Sequence, residues 1–287
     1  MNQHSKVEEE SPKEEKPFLS ILVHSFFIIP FLIAVFCLLL FAAMHLLTRE
    51  KRSGYDYLND VKMGGMTKRW QAAFELSKLL SNSKPIIHDE KFINQLISVY
   101  NDSKEDDPRV RQYLALAMGR TGEEKYLPTL LKNLPDEKEE NLPSLIYAIG
   151  MIKNKESAEK LYPFMDHQNP RVRSIVTVAL GNIGNLNSIN YLKKALNDEE
   201  PNVEWGSAIS LAKLGDASGV TTILNLINRE YLSRYPQVDG DEKNNLMIAA
   251  IDAAKQIKSN QLTQSIQQLS TTDQNMNVRK AAFEYLK

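Results

Sequence analysis

Residues 107–122 read DPRVRQYLALAMGRTG, and residues 169–184 read NPRVRSIVTVALGNIG. Both hold a Pro-Arg-Val-Arg core, and they begin 62 residues apart. At half that spacing, 31 residues, further features recur. Gly119, Gly150 and Gly181 are followed on the same grid by Ala212. Pro108, Pro170 and Pro201 share a second register, and Gly122, Gly184 and Gly215 a third. A fixed period in this range is the signature of a stacked-repeat architecture.

Each copy has the grammar of a helical hairpin. Asp107 and Asn169 suit an N-cap, where a side-chain oxygen accepts from orphan N–H groups. Proline follows at the first helical position, where its missing N–H costs nothing. Val110, Leu114 and Ala117, and likewise Val172, Val176 and Ala179, recur at helical rather than strand spacing. The glycines at 122, 184 and 215 suit a left-handed stop. A second amphipathic stretch follows each stop, as in EKYLPTLLKNL and NSINYLKKAL. Such a hairpin cannot bury its apolar face alone, and stacked copies share one core. The small residues at 119, 150, 181 and 212 are expected to let neighbouring helices approach closely, despite the cost of about 1 kcal/mol of glycine in a helix.

The stretch DDPRVRQYLALAMGRTGEEKYLPTLLKNL resembles a short bacterial HEAT repeat of the phycobilisome-lyase-like type. The resemblance extends over roughly residues 64–287 and is strong over 107–227. It implies an all-α protein, an α-solenoid of HEAT-like hairpins with a period of about 31 residues. It also implies a ladder between adjacent repeats, here Asp107 with Arg111, Asn169 with Arg173, and Arg279. Glu200, Glu204 and Leu145 depart from that pattern, so the ladder is incomplete. By the same analogy the second helices line the partner face.

The edges follow the scheme. MTKRWQAAFELSKLL around Trp70 resembles NVEWGSAISLAKLG around Trp205, and both tryptophans are expected in the core. NVRKAAFEYLK reads as a terminal capping helix. The period breaks at NREYLSRYPQVDGDEKN, residues 228–244, read as a long loop between hairpins. Its Arg229, Tyr231, Arg234 and Tyr235 belong to residue types enriched at interfaces, which makes them the candidate partner contacts. On that reading, deleting 230–240 removes partner capture at little cost in stability.

Ahead of the repeats, residues 18–47 hold no Asp, Glu, Lys or Arg, and FFIIPFLIAVFCLLLFAAMHLL fits one transmembrane helix of about 20 residues. A signal peptide fits less well, because the apolar stretch is long and no clear cleavage motif follows. The organisation expected is a charged, disordered tail (1–17), a transmembrane helix (18–47), a juxtamembrane linker (48–65) and the solenoid (66–287). Tyr55 and Tyr57 in the linker are expected at the membrane interface. Arg49, Lys51 and Arg52 put the nearest basic cluster after the span, which favours a cytoplasmic C-terminal domain at a bacterial inner membrane. The opposite, periplasm-facing orientation is the alternative. His24 and His45 fall near the ends of the uncharged run and are assigned to the interface.

Chemistry is sparse. The single cysteine, Cys37, lies in the apolar run and excludes an intrachain disulfide. His88 and His167 lack metal-ligand spacing, and no nucleophile elbow or phosphate loop is present. The net charge of −1 carries no nucleic-acid footprint. The expectation is a non-enzymatic membrane scaffold or adaptor with a protein partner and no cofactor, metal or nucleic acid. A bilin-lyase-like or small-ligand-binding protein is the alternative that the resemblance implies.

Overall fold

Gly150 shows why the chain stacks as it does. A Cβ built there would stand 2.7 Å from the Cα of Ala179. Gly119 meets Ala148 Cα at 2.5 Å in the same way, and Gly181 meets Ser210 Cα at 2.9 Å. At Gly119 and Gly150 the opposing backbone is met directly, whereas at Gly181 the short Ser210 side chain fills the contact.

The computed structural model describes residues 24–47, 52–81, 89–257 and 259–287, among which there are helices and turns but no strand. The tail 1–17, residues 18–23 at the head of the apolar run, and His88 lie outside them. Two units form, divided between Arg52 and Ser53. In the first, a wide turn over His24–Ile28 leads into α1 (Ile29–Leu47). Its apolar stretch Phe26–Met44 has a mean hydropathy of 3.0 and is not buried at all. Pro30 sits at its second position, at the junction with the wide turn.

Among its described residues the second unit contains fifteen α-helices. α2 is Gly54–Met63, α3 Met66–Leu80, α4 Glu90–Asp102 and α5 Pro108–Thr121. Then come α6 Leu127–Asn133, α7 Leu142–Ile152, α8 Ala158–Leu161 and α9 Pro170–Ile183. α10 is Ile189–Ala195, α11 Pro201–Lys213, α12 Val220–Leu226 and α13 Arg229–Ser233. α14 Gly240–Ala254, α15 Asn260–Thr272 and α16 Met276–Tyr285 complete it. The first helices of the hairpins, α3, α5, α7, α9, α11, α14 and α16, stack in that order. The second helices, α4, α6, α8, α10, α12 and α15, lie beside them. This is the expected α-solenoid.

The grid of caps and stops explains the hairpins. Asp107 accepts from Arg109 N–H at 3.0 Å and Asn169 from Arg171 N–H at 2.9 Å. Gly122, Gly184 and Gly215 have φ of 67°, 74° and 78°. Lys153 holds the fourth place of that register at φ 61°. One residue past each stop, Glu123, Asn154, Asn185 and Asp216 cap the short 3₁₀ turns that open the second helices.

The domain boundaries need correction. The described part of the expected linker 48–65 is mostly helical: α2 opens on a capping box between Ser53 and Asp56, with Leu58 and Val61 buried. It packs on α3 and α4 in the position of a second helix. Tyr55 meets Phe92 edge-on at 5.2 Å and donates to Asp89, and Tyr57 packs on the same core. Both tyrosines are thus absorbed by the solenoid, where the sequence reading placed them at a membrane interface. One core runs from Leu58 to Leu211 and a second from Trp205 to Ala282, and α11 lines both.

Candidate functional site

Arginines recur along the repeats, but Arg111 and Arg173 pair with Glu137 and Asp198 and not with the Asp107 and Asn169 that the resemblance implied. Four first helices carry arginine four positions past the N-cap: Arg69, Arg111, Arg173 and Arg279. Each reaches back to a carbonyl at the end of the preceding helix. Arg69 Nε donates to Val61 O at 2.7 Å, and Arg111 donates to Tyr100 O at 2.8 Å. Arg173 donates to His167 O at 2.9 Å, and Arg279 to Asp273 O at 2.6 Å. These carbonyls stand at the negative end of the helix dipole, and Tyr100 O accepts from Ser103 as well. Three of the arginines also reach forward to an acid in the next inter-repeat link. Arg69 pairs with Asp106, Arg111 with Glu137 at 2.8 Å, and Arg173 with Asp198 through two bonds of 2.8 Å.

Asp107 therefore pairs with Arg109, at 2.6 Å, and not with Arg111. Asn169 caps α9 and donates to Glu139, and its side chain accepts nothing from the Arg173 guanidinium. The cause is geometric: an N-cap side chain points into its own first turn, whereas the arginine one turn later faces the neighbouring links. Glu204 and Leu145 interrupt the arginine column and Glu200 the cap column, and Glu204 instead accepts from Thr222 at 2.8 Å.

In two of the arginine–carboxylate pairs the partly buried carboxyl is held low. The Arg173 guanidinium holds Asp198 below the usual carboxylate range. Burial pushes Asp273 upward, but bonds from Arg229 and Asn275 N–H outweigh it and leave the carboxyl lowered. A lowered carboxylate contributes stability above its unfolded value of about 3.9 and loses it as pH falls through the folded value. Asp198→Asn should therefore lower Tm at pH 7, and its difference from wild type should shrink below about pH 4 in a Tm series across pH.

The 228–244 segment is more ordered than a loop. Asn228 caps the short helix α13, and Leu232 is 1% exposed. Arg229 makes two bonds of 2.7 Å to Asp273, a carboxylate with 1% of its side chain exposed, and one of 2.9 Å to Asn244. Tyr231 OH accepts from Trp205 Nε1 at 3.2 Å and from Tyr235 OH at 3.1 Å. Tyr235 meets the Trp205 ring edge-on at 4.7 Å, and its bond to Tyr231 and its burial push its hydroxyl up to about 12. Of the four candidate contacts, Arg229, Tyr231 and Tyr235 are tied into the second core and Arg234 is exposed. Excising 230–240 would remove Leu232 and this aromatic cluster, so it costs stability that an inert loop would not.

Trp205 is buried as expected, while Trp70 is half-buried beneath the Arg109 guanidinium, 4.5 Å away. His167 Nδ1 accepts from Asn169 N–H at 3.1 Å. Among the described residues no group of three His, Cys, Asp or Glu side chains is placed to hold a metal ion. The residues missed by sequence reasoning are the acids Asp106, Glu137, Asp198 and Asp273, together with Arg69. An arginine at the N-cap plus four, followed by an acid in the next link, is the signal that finds most of them.

Comparison with known proteins agrees with this geometry. The HEAT-repeat family profile matches residues 93–180 and 158–234. The chain is a HEAT-repeat protein. Among solved structures it is similar to the complex of CpcE and CpcF of phycocyanin lyase from Nostoc sp. PCC7120. That match has 16% identity and a TM-score of 0.56, and covers 83% of this chain and 96% of the other. An archaeal HEAT-like repeats protein from Thermococcus onnurineus NA1 matches at 12% identity and a TM-score of 0.43, covering 83% and 97%. A designed armadillo repeat protein in complex with the peptide (KR)4 matches at 17% identity and a TM-score of 0.42, covering 80% and 96%. No curated protein matches the chain by sequence.

Proposed function

We propose that this chain is a single-pass membrane protein whose HEAT solenoid acts as a non-enzymatic scaffold, holding a protein partner or complex at the bilayer. The observation that carries the reading is the joining of two parts in one chain. One is an apolar helix of 19 residues, Phe26–Met44, long enough to span and not buried at all. The other is a repeat stack, an architecture that offers extended binding surface. Anchoring raises the effective concentration of that surface for membrane partners. The favoured orientation places the solenoid in the cytoplasm at a bacterial inner membrane, from the basic residues Arg49, Lys51 and Arg52 after the helix.

Carbonate extraction of membranes bearing the full chain tests the anchor. The chain should stay in the pellet with residues 1–48 intact by mass spectrometry, and an introduced Ser53→Cys should be shielded from reagents that do not cross the membrane. A chain released by carbonate, or one cleaved after the apolar stretch, contradicts the span. Labelling of Ser53→Cys from outside assigns the periplasm-facing orientation instead.

A second reading rests on the phycocyanin lyase complex, a protein with which this chain shares its fold. Fold alone does not carry activity. A bilin-lyase-like or small-ligand role predicts a bound chromophore or ligand in the purified chain, visible as absorbance beyond the aromatic band.

A further inference from the structure

The second helices do not all present the same surface. α4, α6, α8 and α10 each carry lysine. Residues 217–228, leading through α12, and 259–272, through α15, carry no charged side chain at all. At the chain-wide 25% charged, about six or seven would fall there. These two neutral segments face one another across a groove of about 590 Å³.

The α15 wall of the groove is polar. Gln261, Ser265, Gln268 and Thr272 line it at helical steps of four, three and four residues, and Asn225 and Asn228 stand opposite. Asn225, Gln261, Ser265 and Gln268 use none of their side-chain donors or acceptors within the described residues. Leu224, Ile227 and Leu269 supply apolar contact between them, and no aromatic ring lines the groove. One end is closed by Arg229, whose guanidinium is held by Asp273.

We infer that the groove between α12 and α15 binds an extended, uncharged peptide segment of a protein partner, through hydrogen bonds from its carboxamides to the peptide backbone. This rests on the scaffold reading and names where and what it binds. A carboxamide offers a donor and an acceptor together, matching the N–H and C=O of a peptide unit. The α15 polar groups are spaced by about 4.5–6 Å along the helix. An extended chain repeats its outward-facing groups about every 6.6–6.8 Å, close enough for successive pairs to engage. Leu224, Ile227 and Leu269 then receive alternate side chains. A charged segment would meet only Arg229 and Asp273, whose charges are already paired with one another, and a sugar would find no ring to stack on.

The test selects a random twelve-residue peptide library, displayed on phage, against the full chain held in lipid nanodiscs. The enriched peptide, made synthetically with a fluorophore, is then titrated by anisotropy. Binding should weaken at least tenfold to the Gln261→Ala/Gln268→Ala double variant and stay within twofold for Asn190→Ala on α10. N-methylation of alternate backbone amides of the peptide should weaken it comparably. If no linear peptide is enriched, or the peptide binds the double variant as wild type, the groove assignment is overturned. Insensitivity to N-methylation overturns it as well. A peptide bound elsewhere on the chain defeats the groove and leaves the scaffold reading standing, which partner capture in membranes tests separately.

Discussion

Gly150→Val should lower the stability of the solenoid by about 3 kcal/mol, the upper end of the usual cost of overpacking. The first carbon of the new side chain would lie 2.7 Å from Ala179 Cα and equally close to its Cβ. The obstacle is helix backbone, which has no rotamer to change. α7 and α9 must separate, and the layers on either side lose their packing. In a domain of this size that corresponds to a fall in Tm of about 6–12 °C. Gly240→Ala is the matched control, because nothing lies within 4 Å of a Cβ there, and it should change stability by less than about 0.5 kcal/mol. Thermal and urea unfolding of both variants read the effect. A Gly150→Val chain that melts within 2 °C of wild type would mean the helices are not in backbone contact.

The ion pair of Arg111 with Glu137 carries the second large effect. Both side chains are almost fully buried, 2% and 1% exposed. Arg111 also donates to Tyr100 O at 2.8 Å and to Asn133 Oδ1 at 3.0 Å, and its guanidinium lies 4.2 Å from the Tyr100 ring centre. Arg111→Leu leaves a buried carboxylate without its cation, at a cost of about 3–5 kcal/mol. The double variant Arg111→Leu/Glu137→Leu removes the orphaned charge and should recover most of that loss, since a buried pair replaced by apolar groups is often near neutral. Urea unfolding of the two variants decides it. A single-variant loss below about 1 kcal/mol would show that water or another cation reaches Glu137. Failure of the double variant to recover would place the contribution in the bonds to Tyr100 and Asn133.

Much of this architecture was legible because it repeats. The grid of 31 residues placed the caps at Asp107 and Asn169, the stops at Gly122, Gly184 and Gly215, and the close contacts at Gly119, Gly150 and Gly181. Each is a local requirement of backbone geometry, so residue type and spacing suffice to show it. Lys153 occupies the same left-handed place without glycine, and its position midway between 122 and 184 was the only clue. The acids were hidden because they sit in links of unequal length: Glu137 lies 26 residues beyond Arg111 and Asp198 lies 25 beyond Arg173. Link geometry, which a period does not encode, selects among several carboxylates in each.

Two segments were misread for want of apolar periodicity. In GYDYLNDVKM only Leu58 and Val61 mark the buried face, though Ser53 and Asp56 spell a capping box. REYLS is five residues long, and its hold on the fold comes from Arg229 with Asp273 and from Tyr231 with Trp205, contacts across 44 and 26 residues of chain. The neutral faces of α12 and α15 were visible in composition, yet only the structure sets them across one groove.

The central claim is that the solenoid holds a partner at the membrane. Crosslinking in intact membranes, followed by purification and mass spectrometry, tests it most directly when the full chain is compared with a chain lacking residues 1–48. The account predicts one reproducible protein partner with the full chain, depleted when the anchor is removed although the truncated solenoid is expressed to the same level and melts at the same temperature. Equal capture by both chains would contradict the role of the anchor, and capture of no protein by either would contradict the scaffold itself.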